Sequence, residues 1–321
     1  MKKRRVLKVV KFLAISTAAI YAVNTYINIT AVRKKKLSSD PEDFFVWKDI
    51  KVYYKKTGSG DPVILLHDLY PSSSAYEWSN IVNALSKSHR VYVLDLPGCG
   101  RSDKPQMIYT NFYYVQLLIE FIKSMVCEKV SVIATGLSST IALMASVYDA
   151  SKFSQIIYIN PPSTENMAQI PSTRSKVAKT ILEIPILGSL VYNVHFSHER
   201  IDTVFTEEYL YNPFLSDANF IDTYYESAHL GNGRGRYLMA CIDGKYLNMN
   251  IDHALSTTTV PSSILIGSSN SDEEGMAHTW LKINQSINLY EIPHTSRLPQ
   301  IEKPEETVSK IEKILRSGKA K

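Results

Sequence analysis

Residues 129–144 constrain the fold of this chain more than any other stretch. Lys129-Val130-Ser131-Val132-Ile133-Ala134 reads as a β-strand, Thr135-Gly136-Leu137 as a sharp turn, and Ser138-Ser139-Thr140-Ile141-Ala142-Leu143-Met144 as the opening of an apolar helix. A short apolar run of this kind marks a strand buried on both faces, and such strands belong to parallel sheets covered by helices above and below. With 321 residues and 45% hydrophobic content, the chain can bury a core of that size.

The flanking segments repeat the pattern. Phe44–Trp47 and Val52–Tyr54 are aromatic, β-prone runs, and Thr57-Gly58-Ser59-Gly60-Asp61-Pro62 is a turn cluster. Val63–Leu66, Val91–Leu94 and Ile156–Ile159 are further buried strands, separated by helical spacings over Ala75–Ser86, Phe112–Met125 and Ile141 onward. From Ser163 to His253 the alternation breaks into tyrosine-rich helical stretches and the loop Gly231–Arg236, whose glycines follow no strand and fit no phosphate-loop spacing; it reads as a flexible loop of a helical cap. Strands resume at Ser262–Gly267 and Ile287–Glu291, before a last helix over Pro304–Arg316 with acids at its start and bases at its end. The expected architecture is α/β: a doubly wound, mostly parallel sheet over 44–162 and 254–321, interrupted by a cap over 163–253.

Four segments in this order carry a family resemblance: Leu66-His67-Asp68-Leu69; Asp95-Leu96-Pro97-Gly98-Cys99-Gly100-Arg101-Ser102; the strand–turn–helix around Gly136; and Ile292-Pro293-His294-Thr295-Ser296-Arg297-Leu298-Pro299-Gln300-Ile301-Glu302-Lys303-Pro304. The chain resembles the α/β-hydrolase superfamily, whose elbow reads Gly-x-Ser-x-Gly. The resemblance implies an esterase-like triad of nucleophile, imidazole and carboxylate, with an oxyanion hole from the backbone at Leu69 and Leu137.

The triad positions carry other residues. Gly136 stands at the nucleophile position, where a side chain normally accepts strained backbone angles costing about 1–3 kcal/mol; glycine relaxes the turn and removes the attacking atom. Arg297 stands where the histidine belongs, and a guanidinium has no lone pair with which to accept a proton. Asn270 holds the position of the acid. The fallback candidates are Ser138, the nucleophile if the register shifts by two, with Ser139 and Thr135 as nearby hydroxyls, Asp272 for the acid and His294 for the imidazole. In the unshifted register Ser138 and Ser139 fall in the first helical turn, where packing or capping is the common use. Two further expectations concern the pocket residues His67, Asp68 and Arg297. The amides opening the helix at Gly136–Leu137, with Arg297 nearby, favour a small anionic or acyl ligand, but Asp68 can instead neutralise Arg297 in an internal ion pair.

Charge and the N-terminus complete the reading. Residues 1–36 hold seven Lys and three Arg with no acid, which leaves 26 basic and 31 acidic groups elsewhere, a net −5 against +5 for the whole chain. A mildly acidic body argues against nucleic-acid binding. Phe12–Val32 is uncharged and long enough, at about 30 Å, to cross one hydrocarbon core, although Asn24, Thr25 and Asn28 weaken it. Its readings are an uncleaved single-pass anchor (preferred), a signal peptide without a convincing cleavage site, and a surface-lying amphipathic helix. Six bases before the span against four after it favour an internal N-terminus and an extracytoplasmic body, and the polar run over 37–43 reads as a short linker. Cys99, Cys127 and Cys241 show neither metal nor disulfide spacing, and no cofactor or metal is expected. The sequence thus points to a membrane-anchored hydrolase-fold protein with a degenerate triad and a binding or scaffolding role. The alternatives are a serine hydrolase using a displaced serine and, more distantly, cofactor-free acid–base chemistry.

Overall fold

In the computed structural model, residues 2–37 and 43–318 are described. Most of the linker read at 37–43 lies outside them. Eight strands form one sheet: β1 (Asp43–Trp47), β2 (Ile50–Thr57), β3 (Asp61–Leu66), β4 (His89–Leu94), β5 (Val130–Thr135), β6 (Phe153–Ile159), β7 (Ser262–Gly267) and β8 (Asn288–Ile292). Their spatial order is β1-β2-β4-β3-β5-β6-β7-β8. β2 runs antiparallel to both its neighbours, and every pairing from β4 to β8 is parallel.

The helices are α1 (Lys2–Ala31), α2 (Ser79–Leu85), α3 (Asn111–Phe121), α4 (Ser138–Tyr148), α5 (Thr164–Met167), α6 (Thr173–Glu183), α7 (Leu187–His195), α8 (His198–Val204), α9 (Ala218–His229), α10 (Arg236–Asp243), α11 (Asp252–Thr257), α12 (Ser271–Ile283), α13 (Pro299–Glu302) and α14 (Pro304–Ser317). Side chains alternate across each strand, so the continuous apolar runs feed two cores. Ile64, Leu66, Val132, Ala134 and Ile264 pack with residues of α3, α4 and α12, while Val63, Leu65, Ile133, Ile157 and Leu265 pack with Ile81 of α2 and with Ile311 and Ile314 of α14.

Between β6 and β7 the chain leaves the sheet. α5 leans on α12, and α11 on α4 and α12, so α6–α10 form the cap proper. The cap has its own core of Leu182, Tyr192, Phe196, Phe205, Phe220 and Tyr224, which takes in Leu298 and Ile301 from below. The loop Gly231–Arg236 differs from its expected role. Gly233, at φ +66°, backs onto Asn28 and Asn193, and a Cβ there would lie a tight 3.2 Å from Asn28 Oδ1, so this turn seats α1 instead of hanging free.

The N-terminal helix divides into two parts. Through Val23 most of its large apolar side chains are exposed, among them Val6, Phe12, Ile15 and Tyr21. From Asn24 onward it docks on the cap, with Asn24, Asn28, Ala31 and Leu37 buried. The amides that weaken the hydropathy of the segment therefore face protein. Asn24 donates to the Ile186 carbonyl at 2.9 Å and accepts from Asn193 at 3.0 Å. Glu226 of α9 closes the docked end by accepting from the Lys36 and Leu37 amides at 2.6 and 3.2 Å.

Candidate active site

The turn between β5 and α4 forms an elbow at Gly136, whose φ of +54° lies in the left-handed region and whose amide is tied to the Ile159 carbonyl of β6. The space in front of it is taken. A Cβ built at position 136 would come closer than 3.0 Å to the Asp68 carboxylate. That carboxylate accepts the Leu137 amide on Oδ1 at 2.8 Å. Asp68 fills the place that a side chain at position 136 would need and occupies one of the two amides expected to receive an anion. Leu69, the other expected contributor, follows Asp68 as a buried residue.

The fallback hydroxyls are turned to structure. Ser138 is fully buried and donates to the His67 carbonyl at 2.6 Å, tying α4 to the turn after β3; Ser139, equally buried, donates back to the Ala134 carbonyl at 3.0 Å. Neither caps α4, whose N-cap is Leu137. Thr135 lines the pocket wall. His67 is wholly inside, with Nδ1 against the Asp68 carbonyl at 2.7 Å and Nε2 accepting from the Leu96 amide at 2.9 Å. Burial lowers its pKa, which keeps it neutral.

Arg297 corrects the expected pairing. Its Nε donates to Glu273 Oε1 at 3.0 Å, its guanidinium lies 4.8 Å from the Tyr209 ring centre, and its own amide bonds the Tyr209 carbonyl at 3.1 Å. Burial works to lower the Arg297 pKa, but Tyr209, Glu273 and Asp68 outweigh it and the net shift is upward. Asp68 thus acts on Arg297 through its field while its hydrogen bond goes to the elbow. Glu273 is 1% exposed; its burial raises the carboxyl pKa against the opposing pull of Arg297. An acid–arginine pair thus stands beside the position where the family resemblance implies an acid–histidine pair. The sequence reading missed Glu273 because it looked for the acid in the turn. The residue sits in the first turn of α12, where Asn270 serves as the N-cap, accepting from the Asp272 amide at 3.0 Å. Asp272 itself is exposed. His294 also lies outside the site: it is exposed, at φ +56°, with its ring beside Tyr211.

A second acid was also missed. Glu77 is 1% exposed and accepts the Asp68 amide at 3.0 Å; burial, with the Asp68 charge added, pushes its pKa up to about 8. The cavity bounded by Asp68, Glu77, Thr135, Gly136, Tyr209 and Arg297 measures about 20 Å³. A cavity of roughly 10–15 Å³ on this measure admits one water, and small-molecule sites run to about 300–1,000 Å³. This one has room for a water and no acyl group.

Sheet order, elbow and inserted cap define a protein of the α/β-hydrolase fold. Residues 63–310 match the model of the Alpha/beta hydrolase family, and the chain belongs to that family. Among curated relatives, it is 30% identical over 118 residues to the 2-hydroxy-6-oxo-6-(2'-aminophenyl)hexa-2,4-dienoic acid hydrolase of Metapseudomonas resinovorans, covering 36% of this chain and 41% of that one. It is 37% identical over 82 residues to the mesoderm-specific transcript homolog protein of Bos taurus, covering 24% of each. The chain thus spans less than half the length of these relatives. Two solved structures share the fold: a serine hydrolase involved in carbazole degradation (TM-score 0.71, 20% identity, 86% of this chain and 98% of that one) and a membrane phospholipase A (TM-score 0.69, 17% identity, 99% of each).

Proposed function

We propose that this member of the alpha/beta hydrolase family is a membrane-anchored module that does not catalyse hydrolysis and acts by binding or scaffolding. One observation carries the reading: the Asp68 carboxylate holds the Leu137 amide in the space that a side chain at position 136 would need. Arg297, engaged with Glu273, offers no proton acceptor. The burial of Ser138 and Ser139, each hydrogen-bonded to a carbonyl, supports this over a hydrolase using a displaced serine. With Leu137 occupied and a cavity of about 20 Å³, a free anionic ligand would have to bind away from the elbow.

The anchor is the helix over Lys3–Ala31, whose most apolar stretch of 18 residues has a mean hydropathy of 1.8. The contacts of Asn24 and Glu226 speak against cleavage beyond Asn24, because losing residues 24–37 would strip partners from buried polar groups. The excess of bases before the span supports an extracytoplasmic body in this reading.

The test is a fluorophosphonate probe applied to the full chain in detergent, followed by peptide mass analysis. No adduct is expected. A covalent adduct on Ser138, Ser139 or Thr135 overturns the reading in favour of a serine hydrolase.

A further inference from the structure

We propose that the outer face of α6 and α7 in the cap is a second membrane contact, a lipid-facing wedge that lies in the bilayer surface beside α1. It rests on the reading of α1 as an anchor and goes beyond it, because it fixes how the body sits.

The first observation is the face itself. Val177, Ile181 and Ile184 recur at i, i+4, i+7 along α6 and its end, and Leu187, Val191 and Val194 repeat that spacing on α7. All six are exposed, by 40% to 64%. The opposite side of each helix is buried in the cap through Leu182 and Tyr192. Together the two helices are apolar enough for a membrane segment, but they are bent by 103° at their junction. Six large aliphatic side chains in two ordered stripes exceed the scattered apolar exposure normal for a soluble surface.

The second observation is where this face lies. The vertex between the helices, Ile184-Pro185-Ile186, is held by α1: Asn24 donates to the Ile186 carbonyl, and Asn193 of α7 donates to Asn24. Ile186 has φ +69°, a costly angle for a β-branched residue, so the vertex is an imposed shape whose carbonyl the anchor helix captures. α1 packs against α7, so the anchor and the wedge adjoin.

The third is a matter of length. Crossing the hydrocarbon takes about 20 helical residues. The uncharged part of α1 that stands free of the body, Phe12–Val23, is too short for that. If the hydrocarbon begins at Phe12 it reaches roughly residue 31; if it begins at Val6, with Lys8 and Lys11 reaching back to the headgroups, it reaches roughly residue 25. Both put Asn24, and therefore the α6–α7 vertex, at or below the bilayer surface. Thr25 and Thr30 fit such a depth, since each donates to a carbonyl of its own helix. Arg174, exposed one turn before Val177, is placed to meet anionic headgroups.

The experiment uses the full chain carrying Cys127→Ser, so that buried Cys99 and Cys241 are the remaining native thiols. An environment-sensitive fluorophore is attached in turn at Ile184→Cys, Val191→Cys, Val194→Cys, Ile15→Cys on the span and exposed Ser154→Cys on the sheet as an aqueous control. Each protein is reconstituted in phosphatidylcholine–phosphatidylglycerol vesicles containing acyl-chain-brominated lipid, with thermal melting to verify folding. The expected result is a blue shift, with quenching at 15, 184, 191 and 194 several-fold above that at 154. Quenching at 15 alone overturns the wedge and leaves the anchor standing. No quenching at 15 overturns the anchor and the wedge with it. A blue shift at 184–194 without lipid quenching, accompanied by disulfide dimers of the unlabelled Val191→Cys protein treated with a copper–phenanthroline oxidant, overturns the wedge in favour of a second copy of the chain on this face.

Discussion

At the scale of single residues, Gly136 and Asp68 form one unit. Position 136 is left-handed and has no room for a methyl group, and both restrictions act on any substitution. Gly136→Ala should cost on the order of 1–3 kcal/mol from backbone strain, with the collision against Asp68 added. Because the collision needs both partners, Asp68→Gly in the same chain should recover part of the loss. Chemical denaturation of the two single variants and the double variant measures that coupling, and strict additivity would count against the pairing. Glu77 gives a pH signature. Its pKa rises from 4.5 to about 8 on folding, so between these values the native state holds a proton that the unfolded state has released. Stability from this group is complete below pH 4.5 and declines as pH rises toward 8, with a slope on the order of 1 kcal/mol per pH unit. Glu77→Gln keeps an oxygen for the Asp68 amide and should flatten that decline, as read from denaturation midpoints between pH 5 and 8.

At the scale of elements, the docked half of α1 depends on a few polar contacts. Glu226 receives two backbone amides where the helix runs into residues 36 and 37, and Lys34 pairs with Asp222 at 2.6 Å nearby. The surface ion pair is worth little in water, whereas the buried carboxylate satisfies two donors at once. Glu226→Ala should therefore release the segment while Asp222→Ala leaves it seated. The measurement is trypsin cleavage at Arg33–Lys36 in the detergent-solubilised full chain, expected several-fold faster in Glu226→Ala. The same element shows why part of the pattern was illegible in sequence. Asn24 and Asn28 read as defects in an apolar span, and only the docked cap reveals that they are a contact stripe.

At the scale of the whole molecule, the family scaffold sets the test of the proposed loss of hydrolysis. Sheet, elbow and cap bring positions 136, 297 and 273 to one place, and Glu273 already stands 3.0 Å from the side chain at 297. The combined variant Asp68→Gly, Gly136→Ser, Arg297→His clears the elbow, supplies a hydroxyl and sets an imidazole beside a buried carboxylate. It should show slow fluorophosphonate labelling at position 136, whereas Gly136→Ser alone should show none. Labelling of the single variant would mean that Asp68 does not block the site. The four family motifs made the fold readable because each is local, namely a strand end followed by a turn with fixed chemistry. At the site, the sequence assigns Gly136, Arg297 and Asn270 to the triad positions only through the family resemblance. Their partners were not readable: the ion pair expected between Asp68 and Arg297 forms with Glu273 instead.

The sequence by itself determined the alternation of strands and helices along the chain, the break in it between β6 and β7 and the apolar N-terminal helix. These follow from periodicity, turn chemistry and the composition of short segments, all of which act over a few neighbouring residues. The tertiary structure alone decided which groups meet: Asp68 with Leu137, Glu273 with Arg297, Asn24 with Asn193. Each pair joins residues at least 24 positions apart, and which carboxylate reaches which donor depends on how closely the packed backbones approach.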